Sequence, residues 1–169
     1  MPLTAKQAWV EVNKLRLLGP TGNSPGIFIV DESPFQQEQE AAAAESQDPV
    51  IAGRILPTSD IYKEGAYRLE MRFSPGYPFK PPEVRFATPI YHLNVDKDGL
   101  VCIPILRVTE NWNANTSLAD VVKAIVDVID HPKIEYAMSP EIQKEYDSNK
   151  AEYERKAKQM VKDKALRRN

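Results

Sequence analysis

The sequence holds a single cysteine, Cys102, and two histidines, so it can close no internal disulfide and offers no ligand cluster for a metal. It has no glycine-rich phosphate loop, which leaves any ATP chemistry to a partner. No apolar run approaches the ~20 residues of a membrane span, and the first residues lack the basic-then-apolar order of a secretion signal. Together with an unpaired thiol, this points to a reducing compartment, the cytoplasm or the nucleus. Residues 150–169 carry eight basic side chains against three acidic ones, a net of +5, but provide no aromatic platform on which bases would stack. They read as the solvated face of a helix, and neither nucleic acid nor membrane is expected as a partner. Residues 1–60 lean the other way, with four basic against eight acidic side chains, inside a whole-chain charge of −2.

What is present suits one domain over 1–169, long enough to bury about two thirds of the surface of its unfolded chain. Thr4 and Gln7 form a capping box for a first helix. Ala5, Ala8, Trp9, Val12 and Leu15 then build an apolar face, and Gly19-Pro20 stops the helix. Lys6, Lys14 and Arg16 lie on its outward side, where ordinary solubilising charge also accounts for them. Strands are predicted over residues 26–30, 50–56 and 66–73. The third alternates Tyr67, Leu69, Met71 and Phe73 with Arg68, Glu70 and Arg72. Short connections imply an antiparallel meander with one face covered by helices. Residues 36–48 lack any large apolar side chain and read as a surface excursion. Ser117 and Asp120 cap a helix whose stripe of Leu118, Val121, Val122, Ile125, Val128 and Ile129 is core, and Pro132 ends it. Ser139-Pro140 opens a short helix, and a charged one runs from about Ser148 towards Leu166.

The middle of the chain organises the rest. Tyr77-Pro78-Phe79-Lys80-Pro81-Pro82 is followed by Tyr91-His92-Leu93-Asn94, then Cys102, then Trp112. This order and spacing resemble the catalytic core of the ubiquitin-conjugating (E2) family, with its Tyr-Pro-x-x-Pro-Pro run, His-Pro-Asn tripeptide, cysteine and tryptophan. The resemblance runs from the first helix to the last, with 36–48 as an insertion. Tyr62 to Arg68, Ile90-Tyr91-His92 and Val101 to Pro104 are similar to the branch that serves HECT and RING-between-RING ligases.

The resemblance implies an α+β fold, the UBC fold. It comprises an N-terminal helix, a four-stranded antiparallel meander, a central helix behind the cysteine and two C-terminal helices. It implies a monomer without a cofactor of its own that takes ubiquitin, or a ubiquitin-like protein, from an ATP-consuming E1 activating enzyme. Cys102 would carry it as a thioester and yield it to an E3 ligase or substrate. Asn94 would stabilise the oxyanion or hold the loop, and His92 would fix the turn. Lys6, Phe86, Asn113 and Ala114 would belong to the ligase-binding surface.

The chemistry suits this. A free thiol, with a pKa of about 8.5, is a few per cent thiolate at neutral pH and exchanges thioesters without a dedicated base. A cysteine protease would need a paired imidazole, and neither His92 nor His131 sits in such a signature. A non-catalytic ubiquitin-binding variant would typically lack the cysteine, whereas an enzyme for another modifier stays open. Three departures from the family pattern stand out. Leu93 replaces the middle proline, which should loosen the turn; Ala114 stands where a proline is usual. Tyr136, with Glu135 beside it, takes the position where lysine-directed members place an aspartate. A lysine acceptor, mostly charged near neutrality, needs that carboxylate or desolvation, while a ligase cysteine needs far less. Transfer to a cysteine is therefore the expectation.

Overall fold

The computed structural model describes residues 4–20, 26–33 and 49–169. The predicted excursion at 36–48 lies outside them. Helix α1 spans Ala5–Arg16, with the Thr4 hydroxyl accepting from the Gln7 amide and the Gln7 side chain closing the box on the Thr4 amide. Four strands follow: β1 (Phe28–Glu32), β2 (Val50–Ile55), β3 (Tyr67–Arg72) and β4 (Glu83–Phe86), in the order β1-β2-β3-β4 and all antiparallel. The meander predicted from short connections is what forms.

The period-two pattern sets which face is buried. Tyr67, Leu69 and Met71 point inward, as do Val84 and Phe86 of the partner strand, where Leu69 pairs with Phe86 and Met71 with Val84. Gly53 of β2 has no room for a side chain: a Cβ there would sit 2.4 Å from the Phe28 ring. The outward face is charged, with Arg54 bidentate on Asp31 at 2.8 and 3.0 Å and Arg68 on Glu32 at 2.9 Å.

Helix α2 (Leu118–Asp130) is the cover. Its stripe of Leu118, Val121, Val122, Ile125, Val128 and Ile129 is buried in the one core, each such side chain contributing about 1.5–3 kcal/mol on leaving water. Ser117 and Asp120 close the predicted capping box, and the Glu11 carboxylate of α1 accepts from the Leu118 amide at 2.8 Å, so α1 helps cap α2. Helices α3 (Pro140–Ser148) and α4 (Lys150–Lys164) pack on each other. Beyond α4, Leu166 pairs antiparallel with Ala66, and the Arg168 guanidinium donates to the carbonyls of Pro57 and Gly65 at 2.9 Å each.

Candidate active site

Cys102 is reached through a tight hairpin. Val95 bridges Val101, and the Asp96 carboxylate accepts from the amides of Asp98 and Leu100, both at 2.8 Å. At the tip, Gly99 has φ +84°, and a Cβ there would lie 2.1 Å from the Phe86 carbonyl oxygen, which demands glycine on both counts. Gly99 in return accepts from the Phe86 amide at 2.8 Å, docking the hairpin on β4. The chain then delivers Cys102, half-buried, and a 3-10 turn over Pro104–Leu106 folds it back. That return places the Arg107 Nε–H 3.1 Å from the Cys102 Sγ.

His92 and Asn94 are fully buried beneath this loop. The His92 Nδ1 accepts from the Asn94 amide at 2.9 Å, so the proton of the neutral ring sits on Nε2, which donates to the Ile129 carbonyl of α2 at 3.1 Å. Burial lowers the His92 pKa to about 4, leaving it neutral at pH 7. The Asn94 side chain is bidentate on one residue: Nδ2 donates to the Lys133 carbonyl at 2.6 Å, and Oδ1 accepts from the Lys133 amide at 2.9 Å. Both ends of the amide are thus engaged by the loop that follows α2.

Leu93 does not loosen this turn. Its N–H, which a proline would lack, donates to the Tyr153 hydroxyl of α4 at 3.1 Å, and its carbonyl accepts from the Met138 amide. Tyr153 sits among Tyr62, Tyr91 and Tyr146, and the Tyr62 hydroxyl donates to the Tyr91 carbonyl. Tyr91 donates to Glu145, which Lys156 also pairs at 2.7 Å; these two partners hold the Glu145 carboxyl below its ordinary range. The tyrosines are therefore a clamp between the last helices and the turn.

A cleft of about 520 Å³ runs beside the cysteine loop, lined by Ile103 to Ile105, by Ala124, Asp127 and Val128 of α2, and by Tyr136. Tyr136 is half-buried at the end of a 3-10 turn, its ring centroid 5.9 Å from the Arg107 guanidinium carbon, and Glu135 beside it is exposed. Lys6 is exposed on α1, and Asn113 and Ala114 are exposed after Trp112. Phe86 needs correcting as a surface residue: it is 4% exposed, the inward side chain of β4. The accessible aromatic is Phe79, 67% exposed, in the loop that the Trp112 indole N–H holds through the Pro78 carbonyl at 3.0 Å. That bond places Phe79's loop alongside Asn113 and Ala114.

Sequence reasoning missed Arg107 and Tyr153 as well as Phe79. The visible signal for the first was an Arg–Glu pair three residues apart between the cysteine and the tryptophan; for Tyr153 nothing local existed, since its partner lies sixty residues away. Among the described residues, no group of three or more His, Cys, Asp or Glu could hold a metal, and no helix is long and apolar enough to cross a membrane.

A model of the family described as ubiquitin-conjugating enzyme matches residues 32–161. The chain is 35% identical over 116 residues to the ubiquitin-conjugating enzyme E2-18 kDa of Drosophila melanogaster, covering 69% of this chain and 75% of that one. It is 32% identical over 114 residues to the ubiquitin-conjugating enzyme E2 ubc-18 of Caenorhabditis elegans, covering 68% and 74%. Against the ubiquitin-conjugating enzyme E2 T of Mus musculus it is 32% identical over 137 residues, covering 80% and 62%.

Proposed function

The chain belongs to the ubiquitin-conjugating enzyme family, and from that membership we propose that Cys102 carries ubiquitin as a thioester and passes it preferentially to a ligase cysteine. The observation that carries the preference is Tyr136. At the position where a carboxylate would receive an amine, a neutral ring lies half-buried beneath the Arg107 guanidinium, and Glu135 faces solvent. Tyr136 itself offers a protonated lysine no carboxylate, the acids of the same cleft being Asp120 and Asp127 of α2, whereas an incoming thiol needs none. The ligases of this kind are the HECT and RING-between-RING types. Asn94 serves the reaction by bracing the loop, because its amide is already committed to Lys133. The surface offered to the ligase comprises Phe79, Asn113 and Ala114, with Lys6 on α1. Activation by ATP belongs to the E1 partner, and the cycle runs in a reducing compartment such as the cytoplasm.

The test is a non-reducing gel after mixing the protein with activating enzyme, ATP and ubiquitin, beside Cys102→Ala. A thiol-sensitive adduct that is absent from the variant and discharged by free cysteine but not by free lysine is the expected result. Tyr136→Asp should then raise discharge to lysine by about tenfold, the effect of about 1.4 kcal/mol of added amine stabilisation. Unchanged lysine reactivity in that variant would remove the support for the preference. Loading only with a different ubiquitin-like protein would reassign the cargo.

A further inference from the structure

Arg107 lies outside every motif in the sequence, yet its guanidinium is bound on all sides to the reacting thiol and its surroundings. Besides the contact from Nε to Sγ, Nη2–H donates to the Cys102 carbonyl at 3.1 Å, and Nη1–H pairs with the Glu110 carboxylate at 2.5 Å. The turn makes this geometry: the Leu106 amide bonds the Ile103 carbonyl and the Arg107 amide bonds the Pro104 carbonyl, reversing the chain over the cysteine. Behind the guanidinium stands the neutral ring of Tyr136. An arginine side chain stays charged throughout the working range of a protein, so a permanent cation touches the nucleophile. Glu110 answers that charge from the far side and leaves the Nε edge to sulfur. The side chains of Arg107 and Glu110 are 33% and 37% exposed, so their fields reach solvent and are screened only in part.

We propose that Arg107 is a catalytic residue of the thioester exchange, stabilising negative charge on the Cys102 Sγ when that sulfur attacks and again when it leaves, with Glu110 setting how strong a field it presents. During loading, the Sγ electron pair forms a bond to the carbonyl carbon of the incoming thioester. The bond from that carbon to the activating enzyme's sulfur breaks, and the electron pair departs with that sulfur. The proton that Cys102 released is balanced by the one the departing thiolate takes up. On delivery the roles reverse: the pair returns to Sγ, where Arg107 waits. No oxidant or reductant takes part. The inference rests on Cys102 being the thioester carrier, but its first test does not.

Because Cys102 is the only thiol, alkylation reports on it alone. Iodoacetate and iodoacetamide have nearly the same size and differ in charge, so the ratio of their rates measures the field at the sulfur. Arg107→Ala should lower the iodoacetate-to-iodoacetamide ratio about fivefold, the effect of one unit charge a few ångströms away in water. Arg107→Lys should keep most of it, Glu110→Gln should raise it, and 1 M salt should shrink all the differences. A residue that merely held the loop would not move the ratio in opposite directions in the two neutralising variants. In single-turnover loading from the charged activating enzyme, Arg107→Ala should be about tenfold slow and Arg107→Lys partly restored. An unchanged ratio in both Arg107→Ala and Glu110→Gln would overturn the inference, even were Arg107→Ala itself poorly folded. Normal loading by Arg107→Ala would overturn it equally. Failure of the wild-type protein to load any modifier would instead overturn the carrier reading, and the catalytic assignment with it.

Discussion

His92 and Asn94 are polar side chains with no access to water, and both ring nitrogens of His92 and both the amide oxygen and nitrogen of Asn94 are hydrogen-bonded. Such groups are costly to bury unpaired and nearly neutral when satisfied, which is why they specify the geometry of a turn. The neutral His92 has a measurable signature. Its pKa falls from 6.5 to about 4 through burial, so between those values the unfolded chain binds a proton that the folded protein refuses. Stability is therefore lost as pH falls from about 6.5 to about 4, by on the order of 3 kcal/mol. Urea midpoints measured across that window should slope for the wild type and flatten in His92→Gln, after the common slope from carboxylates is subtracted; equal slopes would rule His92 out as the source. At this scale the sequence was only partly legible. Motif spacing singled out Cys102, His92 and Asn94, which the fold places around one loop, but it could not tell which of Phe86 and Phe79 is exposed, because two aromatics seven residues apart differ only in which face of a short strand or loop they take. Arg107 was marked only by its spacing from Glu110, and nothing in the sequence placed it at the thiol, because the sharp 3-10 turn that carries it back over Cys102 involves just three residues.

The helices and strands themselves were readable almost in full, since each is marked by its own chemistry. Thr4 with Gln7, and Ser117 with Asp120, announce helix starts through hydroxyl and side-chain carbonyl groups that satisfy the first amides. Alternation in β3 fixed its inward face before any partner strand was known. What periodicity could not reveal is how one element supports another's loop. Leu93 shows this: taken alone it weakens a proline-bearing turn, yet in the fold its free N–H is what lets α4 hold the turn through Tyr153. Tyr153→Phe should cost about 1–3 kcal/mol by leaving that buried amide without an acceptor. Leu93→Pro removes the donor, so the same Tyr153→Phe change should cost roughly 1 kcal/mol less in that background. A double-mutant cycle by chemical denaturation measures the coupling, and simple additivity would mean the bond carries no energy.

Across the whole molecule, the fold is closed by contacts between segments far apart in the chain. Residues 166–168 return to the start of β3 and to Pro57, with Leu166 and Ala66 exchanging amide bonds at 2.9 Å and the Arg54 guanidinium reaching the Arg167 carbonyl at 3.1 Å. Gly65 permits this approach, because a Cβ there would lie 2.4 Å from the Ala165 Cβ. Gly65→Ala should push the returning segment outward and cost about 1–3 kcal/mol, lowering the melting temperature by several degrees. Arg168→Ala acts on the same segment, so the two losses should not add; full additivity in thermal melts would show that the segment is not one unit. The clamp between Tyr153 and Leu93 carries a further implication for how the protein is made. A ribosome polymerises the cysteine hairpin before α4, so a nascent chain holds its thiol while the neighbouring turn still lacks its hydroxyl acceptor. The site is finished only when residue 153 has emerged and docked, and until then the thiol belongs to an incomplete enzyme.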